Sequence, residues 1–305
     1  MPVLGVAVAL VAAFLLALGA YFQNHGASAV GDAEQDPPSD AGDQGTAKRF
    51  GIGQLLALLH QPRWLLGSGL LTGAVALQLV SLSLAPLAVV QPLGAASLVV
   101  TAILDARLNH TRVQKRAVLA IVACVVGVTA FVGTAAFTTS SSPGGAQQEL
   151  VVLLLLAGVL VLFTGLFAAL HRRLGSLRLA LGAGVLFGFV ATLAKVILDR
   201  LPGILRSGPT PRDWLVALCL LGLAAAGIAG LYLVQTAYAA GSPDVVVAAL
   251  TVIDPLVAVT IGIVVLREAA HAPWWAFVVF AVSEVVAVAG VVTLARHQPT
   301  SGEPG

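Results

Sequence analysis

Residues 214–239 read WLVALCLLGLAAAGIAGLYLVQTAYA, a stretch without one charged side chain. An α-helix rises about 1.5 Å per residue and the bilayer's hydrocarbon core is about 30 Å thick, so about 20 apolar residues suffice to cross it. Hydrocarbon cannot satisfy free backbone N–H and C=O groups. A segment this long and uniformly apolar is therefore a membrane-spanning helix, not a barrel strand. Eight further segments read the same way: Val3–Phe22, Trp64–Leu84, Ala88–Leu108, Val113–Phe131, Leu150–Ala169, Leu177–Leu198, Val245–Leu266 and Trp274–Ala295. The expected fold is an all-α polytopic membrane protein with about nine transmembrane helices.

Composition agrees, with 58% apolar residues, 10% charged and a mean hydropathy of +0.98. A soluble core is excluded by those figures. The one long polar stretch, Asn24–Lys48, is acidic and rich in Pro, Gly and Ser, and reads as a disordered loop. After it, Phe50, Ile52, Leu55, Leu56, Leu58 and Leu59 form a run too short to span, closed by Gln61-Pro62, and read as an interfacial helix. The chain thus divides into a first span at 1–23, a cytoplasmic loop with a short interfacial helix at 24–63, and spans two to four at 64–133. A connector follows at 149–171, then spans six to nine at 176–296 and a cytoplasmic tail at 297–305.

Loop charge sets the expected orientation. Connections after odd-numbered spans carry Lys48, Arg49, Arg63, Arg107, Arg112, Lys115, Arg116, Arg172, Arg173 and Arg178, with Arg296 in the tail; those after even-numbered spans carry Arg200, Arg206, Arg212 and Arg267. Basic residues mark the cytoplasmic side, so the C-terminus is expected inside and the N-terminus outside, in an inner (plasma) membrane. Trp64, Trp214, Trp274 and Trp275 fall at span starts, where an amphipathic ring suits the headgroup region. Ala27-Ser28-Ala29 has the form of a signal-peptidase site, but Met1–Leu16 lacks the basic n-region a secretory signal wants. Cys124 and Cys219 lie inside spans and predict no disulfide. The net charge of +2, scattered among loops, gives no sign of nucleic-acid binding.

Gly73 and Gly230, Gln78 and Gln235, and Pro86 and Pro243 are each 157 positions apart. Gln and Pro are uncommon inside spans, so these matches outweigh the Val and Leu matches around them. Spans two to four then correspond to seven to nine, and one to six, with the fifth as connector. Corresponding helices run in opposite directions, which is the arrangement of two inverted four-helix repeats joined by a central helix.

At VVQPLGAASLVVTAILDARLN, Val89–Asn109, the chain resembles the NIPA-type magnesium transporters of the drug/metabolite transporter (DMT) superfamily. Ala13–Gly26 resembles their first span, with Gln23, Asn24 and His25 where the family has a basic cluster. Arg172–Asp199, with its GVLFGFVATLAK, resembles their sixth, and Gly241–Glu268 is similar to the hairpin and penultimate span of bacterial superfamily members. The resemblance implies two inverted bundles and a transport activity without cofactors. NIPA-type relatives imply Mg²⁺; the wider superfamily implies export of metabolites, drugs or nucleotide-sugar-like compounds. Asn109, His110 and Thr111 stand where many relatives have an acidic residue after the third span.

Ionisable side chains at membrane depth are costly and mark functional candidates. Asp254 and Glu284 each lie about ten residues into the eighth and ninth spans, near the midplane. Carboxylate oxygens are the hard ligands Mg²⁺ prefers, so both are candidate metal ligands; a buried carboxylate could equally exchange protons, or simply hydrogen-bond within the bundle. Gln78 and Gln235 could line a polar pathway or join helices. Gln91-Pro92 could break the third span and free carbonyls for an ion, against the commoner reading of a kink. Lys195 is a sixth candidate for the ion pathway, although its place four residues from Asp199 suits a local ion pair or a snorkelling lysine.

No HExxH, paired protease-like aspartates, Gly-x-Ser-Gly site or phosphate-binding loop is present in the sequence. The sequence therefore leaves a Mg²⁺ transporter or facilitator, a proton-coupled exporter of small organic metabolites or drugs, and a non-transporting scaffold. Its expected partners are an ion or small-molecule substrate and the lipid bilayer; homodimer formation stays open.

Overall fold

The computed structural model describes residues 2–33, 60–108, 115–140, 145–170, 175–208, 210, 213–241 and 243–295. Every element among them is a helix. We number these α1 (Pro2–Ala33), α2 (Pro62–Leu84), α3 (Leu87–Gly94), α4 (Ala96–Leu108), α5 (Lys115–Thr138) and α6 (Ala146–Leu170). There follow α7 (Ser176–Ser207), α8 (Trp214–Ala240), α9 (Pro243–Val264) and α10 (Trp274–Ala295). Eight of them are long and apolar enough to cross a membrane, and the protein is an all-α polytopic membrane protein.

The expected third span is the one that differs. It is divided into α3 and α4, because Pro92 has no N–H for the carbonyl four residues back and its ring crowds the preceding turn. Ala95 at the division stays right-handed (φ −63°, ψ −21°), and its N–H donates to the Pro92 carbonyl at 3.2 Å. The interruption is thus confined to the single residue Ala95, between α3 and α4.

The first helix also runs on to Ala33, past its membrane-crossing window Val3–Gln23, so residues 24–33 continue a helix where a loop was expected. Alanine-containing sequence past the window keeps helical propensity once the turn before it is formed. The rest of the expected acidic loop and the interfacial helix lie outside the described residues, as do Asn109, His110 and Thr111.

Helix ends follow local chemistry. Pro62 opens α2, where its missing N–H costs nothing. Gly208 closes α7 at φ 77°, a conformation that glycine adopts without a Cβ clash. Trp214 and Trp274 begin α8 and α10 and are exposed, as the aromatic-belt reading requires.

Packing places α3 at the centre, with Leu87–Leu93 buried all round. Its neighbours are α9, α5 and α1, while α1 packs on α2, α7 on both α8 and α9, and α5 on α10. The pairing α1 with α2 matches α7 with α8, and the corresponding spans three and eight meet, as do four and nine. These neighbours are the ones expected if spans one to four and six to nine correspond. The connector α6 sits against α7 and α8 and presents Leu154, Val161 and Leu162 outward, a surface suited to lipid.

Small residues set the close approaches, since packing rather than hydrophobic collapse joins helices in lipid. A Cβ at Gly67 would lie 2.5 Å from the Gln23 nitrogen on α1, and one at Gly127 would lie 2.6 Å from the Ala287 nitrogen on α10. One at Gly188 would meet the Val257 Cβ at 2.7 Å and the Asp254 carbonyl at 3.0 Å. Gly188 on α7 thus fixes how deeply α9 seats, and with it the position of Asp254.

Candidate functional site

Four spans converge on a cavity of about 360 Å³. Its apolar wall comes from Ala12, Ala13 and Leu16 on α1 and from Ala74 and Val75 on α2. Polar groups enter from three directions: Gln78 from α2, Gln91 from the buried face of α3, and Thr251 and Asp254 from α9. The kink brings Gly94, Ala95 and Ser97 to the same wall, and the Ser97 hydroxyl donates to the Gly94 carbonyl at 2.7 Å. On α9, Pro255 has no N–H for the Thr251 carbonyl, and both residues line the cavity. Proline inside α3 and α9, two of the helices that line the cavity, thus loosens the backbone beside the polar groups.

The Asp254 Oδ1 is buried and has no hydrogen-bond partner among the described residues. Leaving a buried acceptor unmade costs about 1–3 kcal/mol, and more when it is charged. A carboxylate retained only to join helices would spend both oxygens on the bundle. Asp254 lines the cavity and leaves one oxygen without a partner in the bundle, which suits exchange with an ion or a proton instead.

Three of the six residues selected from sequence meet in this cavity: Gln78, Gln91 and Asp254. Glu284 does not join them. It is half-buried on α10 outside the cavity lining, and no charged partner of either carboxylate is found among the described residues. Glu284 thus does not line the cavity that Asp254 lines, although both stand about ten residues into their spans. Gln235 is exposed on α8, so the repeat match to Gln78 does not carry over to the cavity. Among the described residues no group of three or more His, Cys, Asp or Glu side chains is placed to hold a metal ion.

Lys195 belongs to a separate polar layer. Fully buried, its Nζ donates to the Leu82 carbonyl and to Asp199 Oδ1, both at 2.8 Å. Beside it Glu268, from the turn between α9 and α10, accepts the N–H groups of Leu87 and Ala88 at 2.7 and 2.9 Å. Burial pushes the Glu268 carboxyl above the usual range, against the opposing pull of those two donors and of the Lys195 charge. The Glu268 carbonyl also accepts the Ser140 N–H at 2.9 Å, and Arg200 Nε donates to Glu149 Oε1 at 2.6 Å. One end of the bundle is tied together by these contacts, all from the ends of helices joined by connections of one parity.

Sequence reasoning missed Glu268 and Glu149. The signal for Glu268 is an acid in a tight apolar hairpin, LREAAHAP, facing a helix whose first residues follow Pro86 without a capping side chain. For Glu149 the signal is an acid in the first turn of α6, which reads equally well as a response to the helix dipole.

Comparison with known proteins adds family membership. The chain is 28% identical over 248 residues to an uncharacterized protein of Corynebacterium glutamicum, an alignment covering 79% of this chain and 82% of that one. No solved structure matches. The family model described as "Magnesium transporter NIPA" matches residues 4–176, a stretch that takes in all but the first two residues of α1 and the whole of α2 to α6, with Gln78 and Gln91, and stops before Asp254. That match covers more than half of the sequence and agrees with the motif at Val89–Asn109, and the chain belongs to the NIPA magnesium transporter family.

Proposed function

We propose that this membrane protein carries Mg²⁺, or a related divalent cation, through the cavity lined by Asp254, Gln78 and Gln91. The observation that supports this most is that Asp254, one of whose oxygens has no partner in the bundle, lines a cavity that also receives two amide side chains. Mg²⁺ gives up water reluctantly and is usually held by one or two carboxylates with several waters retained. A single carboxylate with neutral oxygen donors around a roomy cavity suits such a hydrated ion better than a bare one. The lack of a multi-carboxylate cage among the described residues is compatible with a substrate that must also leave. Transport then follows the ion's own gradient and the membrane potential, with the N-terminus outside and the C-terminus in the cytoplasm.

A second reading rests on the largely apolar wall formed by Ala12, Ala13, Leu16 and Val75. With that wall, the same Asp254 serves as the proton site of an exporter for small organic metabolites. Flux into proteoliposomes separates the two. Mg²⁺ uptake that depends on Asp254 supports the first; substrate-driven proton movement from an organic panel, with no Mg²⁺ flux, replaces it with the second. No flux of either kind, with folded protein in the vesicles, leaves a non-transporting scaffold.

A further inference from the structure

A second cavity, of about 790 Å³, opens between α1 and α4. Phe14, Leu18, Tyr21 and Phe22 line it from α1, a stripe of one helix face, and Val100, Ile103 and Leu104 line it from α4 at the same kind of spacing. Both sides are apolar, yet the groove ends at His25 and Arg63. We propose that it binds an anionic phospholipid, with the phosphate at Arg63 and His25 and an acyl chain along Phe14 and Ile103.

Length and charge both favour this occupant. From Phe14 to His25 the helix advances eleven residues, about 16 Å, against about 15 Å for half of a 30 Å hydrocarbon core. The groove is thus one leaflet deep. Its polar end coincides with the end of the membrane-crossing window at Gln23, where headgroups lie. Gln23 Nε2 donates to Ser68 Oγ at 3.3 Å, and this register along α1 and α2 carries Arg63 about a turn further toward the interface. Arg63 is exposed, sits in the first turn of α2, and meets no acidic side chain among the described residues. A fixed cation at a helix N-terminus attracts a phosphate both by its charge and by the unsatisfied N–H groups beside it.

The His25 Nδ1–H donates to the Tyr21 carbonyl at 3.1 Å and its ring lies tilted against Tyr21 at 4.1 Å, so a phosphate oxygen, itself an acceptor, meets Nε2 only when the ring is doubly protonated or through a bridging water. A cation substrate, by contrast, has no use for a groove with apolar sides and an arginine at its mouth.

The proposal does not rest on the transport reading, and its test does not use transport. Purified full-length protein is delipidated in detergent and offered phosphatidylglycerol or phosphatidylcholine of identical acyl chains, with retained lipid counted by native mass spectrometry. Wild type should retain phosphatidylglycerol at least fivefold over phosphatidylcholine. Arg63→Gln should bring that ratio close to one and Arg63→Lys should restore most of it, while Arg178→Gln, at an exposed arginine in the first turn of α7, should leave it unchanged. Ile103→Trp, at a half-exposed position that tolerates bulk, should reduce retention of both lipids by filling the groove. Equal retention of the two lipids by wild type, or a ratio unchanged in Arg63→Gln, overturns the proposal.

Discussion

Glu268 caps the helix that begins at Leu87: its carboxylate takes the Leu87 N–H at 2.7 Å, and its second oxygen takes the Ala88 N–H at 2.9 Å. Pro86, at the N-cap position, offers no side chain for the purpose, so the cap comes from a turn 181 positions away in sequence. Glu268→Ala leaves two buried N–H groups without partners and should cost at least about 2 kcal/mol. Glu268→Gln retains one acceptor oxygen and should cost less. Chemical unfolding in detergent checks the order; equal stability of wild type and the alanine variant would mean that the cap is made by something else.

The same residue gives a pH dependence whose sign can be worked out. Burial holds the folded carboxyl above its ordinary value of 4.5. Below that ordinary value both folded and unfolded states are protonated and the residue's contribution is fully present. As pH rises the unfolded chain loses its proton first, so stability falls until the pH has passed the folded value. The difference in melting temperature between wild type and Glu268→Gln, followed from pH 4 upward, should therefore shrink or reverse. A difference that grows with pH contradicts the assignment.

Crowding at the α7–α9 crossing predicts a packing defect. A Cβ at Gly188 would stand 2.7 Å from the Val257 Cβ, inside any permitted contact, and the facing atoms belong to a branched side chain and to backbone. Gly188→Val should destabilise by about 1–3 kcal/mol and displace Asp254. Gly158→Val, on the lipid-suited surface of α6 where an added Cβ meets nothing, should be close to neutral. Thermal melting of the two variants measures the contrast.

What the sequence made legible was whatever depends on the solvent. The spans from Trp214 and Trp274 could be read because apolar length and interfacial tryptophans are local signals. The site was legible only in part, because depth along a helix can be counted from sequence while the direction a side chain faces depends on its neighbours. Asp254 and Glu284 have equal depth, yet Gly184 and Gly188 press against the Asp254 region of α9, while the Ser283 and Ala287 backbone beside Glu284 meets Gly127 of α5. Lys195 could be paired with Asp199 from their spacing, but its bond to the Leu82 carbonyl joins residues 113 positions apart and left no local trace.

Orientation is open to direct chemistry. The native cysteines, Cys124 and Cys219, are both buried, so the background for labelling is low. A cysteine introduced at Gly145, an exposed position in an even-numbered connection, should react with an impermeant maleimide added to intact cells. One introduced at Gly175, exposed in an odd-numbered connection, should react only after the membrane is opened. The reverse pattern would invert the topology while leaving the fold as it is.

The two carboxylates should now behave differently under the same substitution. Asp254→Asn keeps the size of the side chain and most of its hydrogen-bonding capacity but removes the charge. Because Oδ1 makes no hydrogen bond to the bundle, folding should be preserved or slightly improved. If Asp254 is the residue that meets the ion, Mg²⁺ uptake into proteoliposomes should fall at least tenfold. Glu284→Gln alters a half-buried residue outside the cavity and should leave uptake within about twofold of wild type. Gln78→Leu and Gln91→Leu remove neutral donors from the cavity and should raise the concentration of Mg²⁺ needed for half-maximal uptake without abolishing it, since retained water can replace an amide oxygen. Because the double variant Asp254→Asn, Glu284→Gln contains two substitutions without a shared partner, its loss should equal that of Asp254→Asn alone. Full uptake by Asp254→Asn, together with collapse in Glu284→Gln, would move the ion path out of this cavity and onto the α5–α10 side of the bundle.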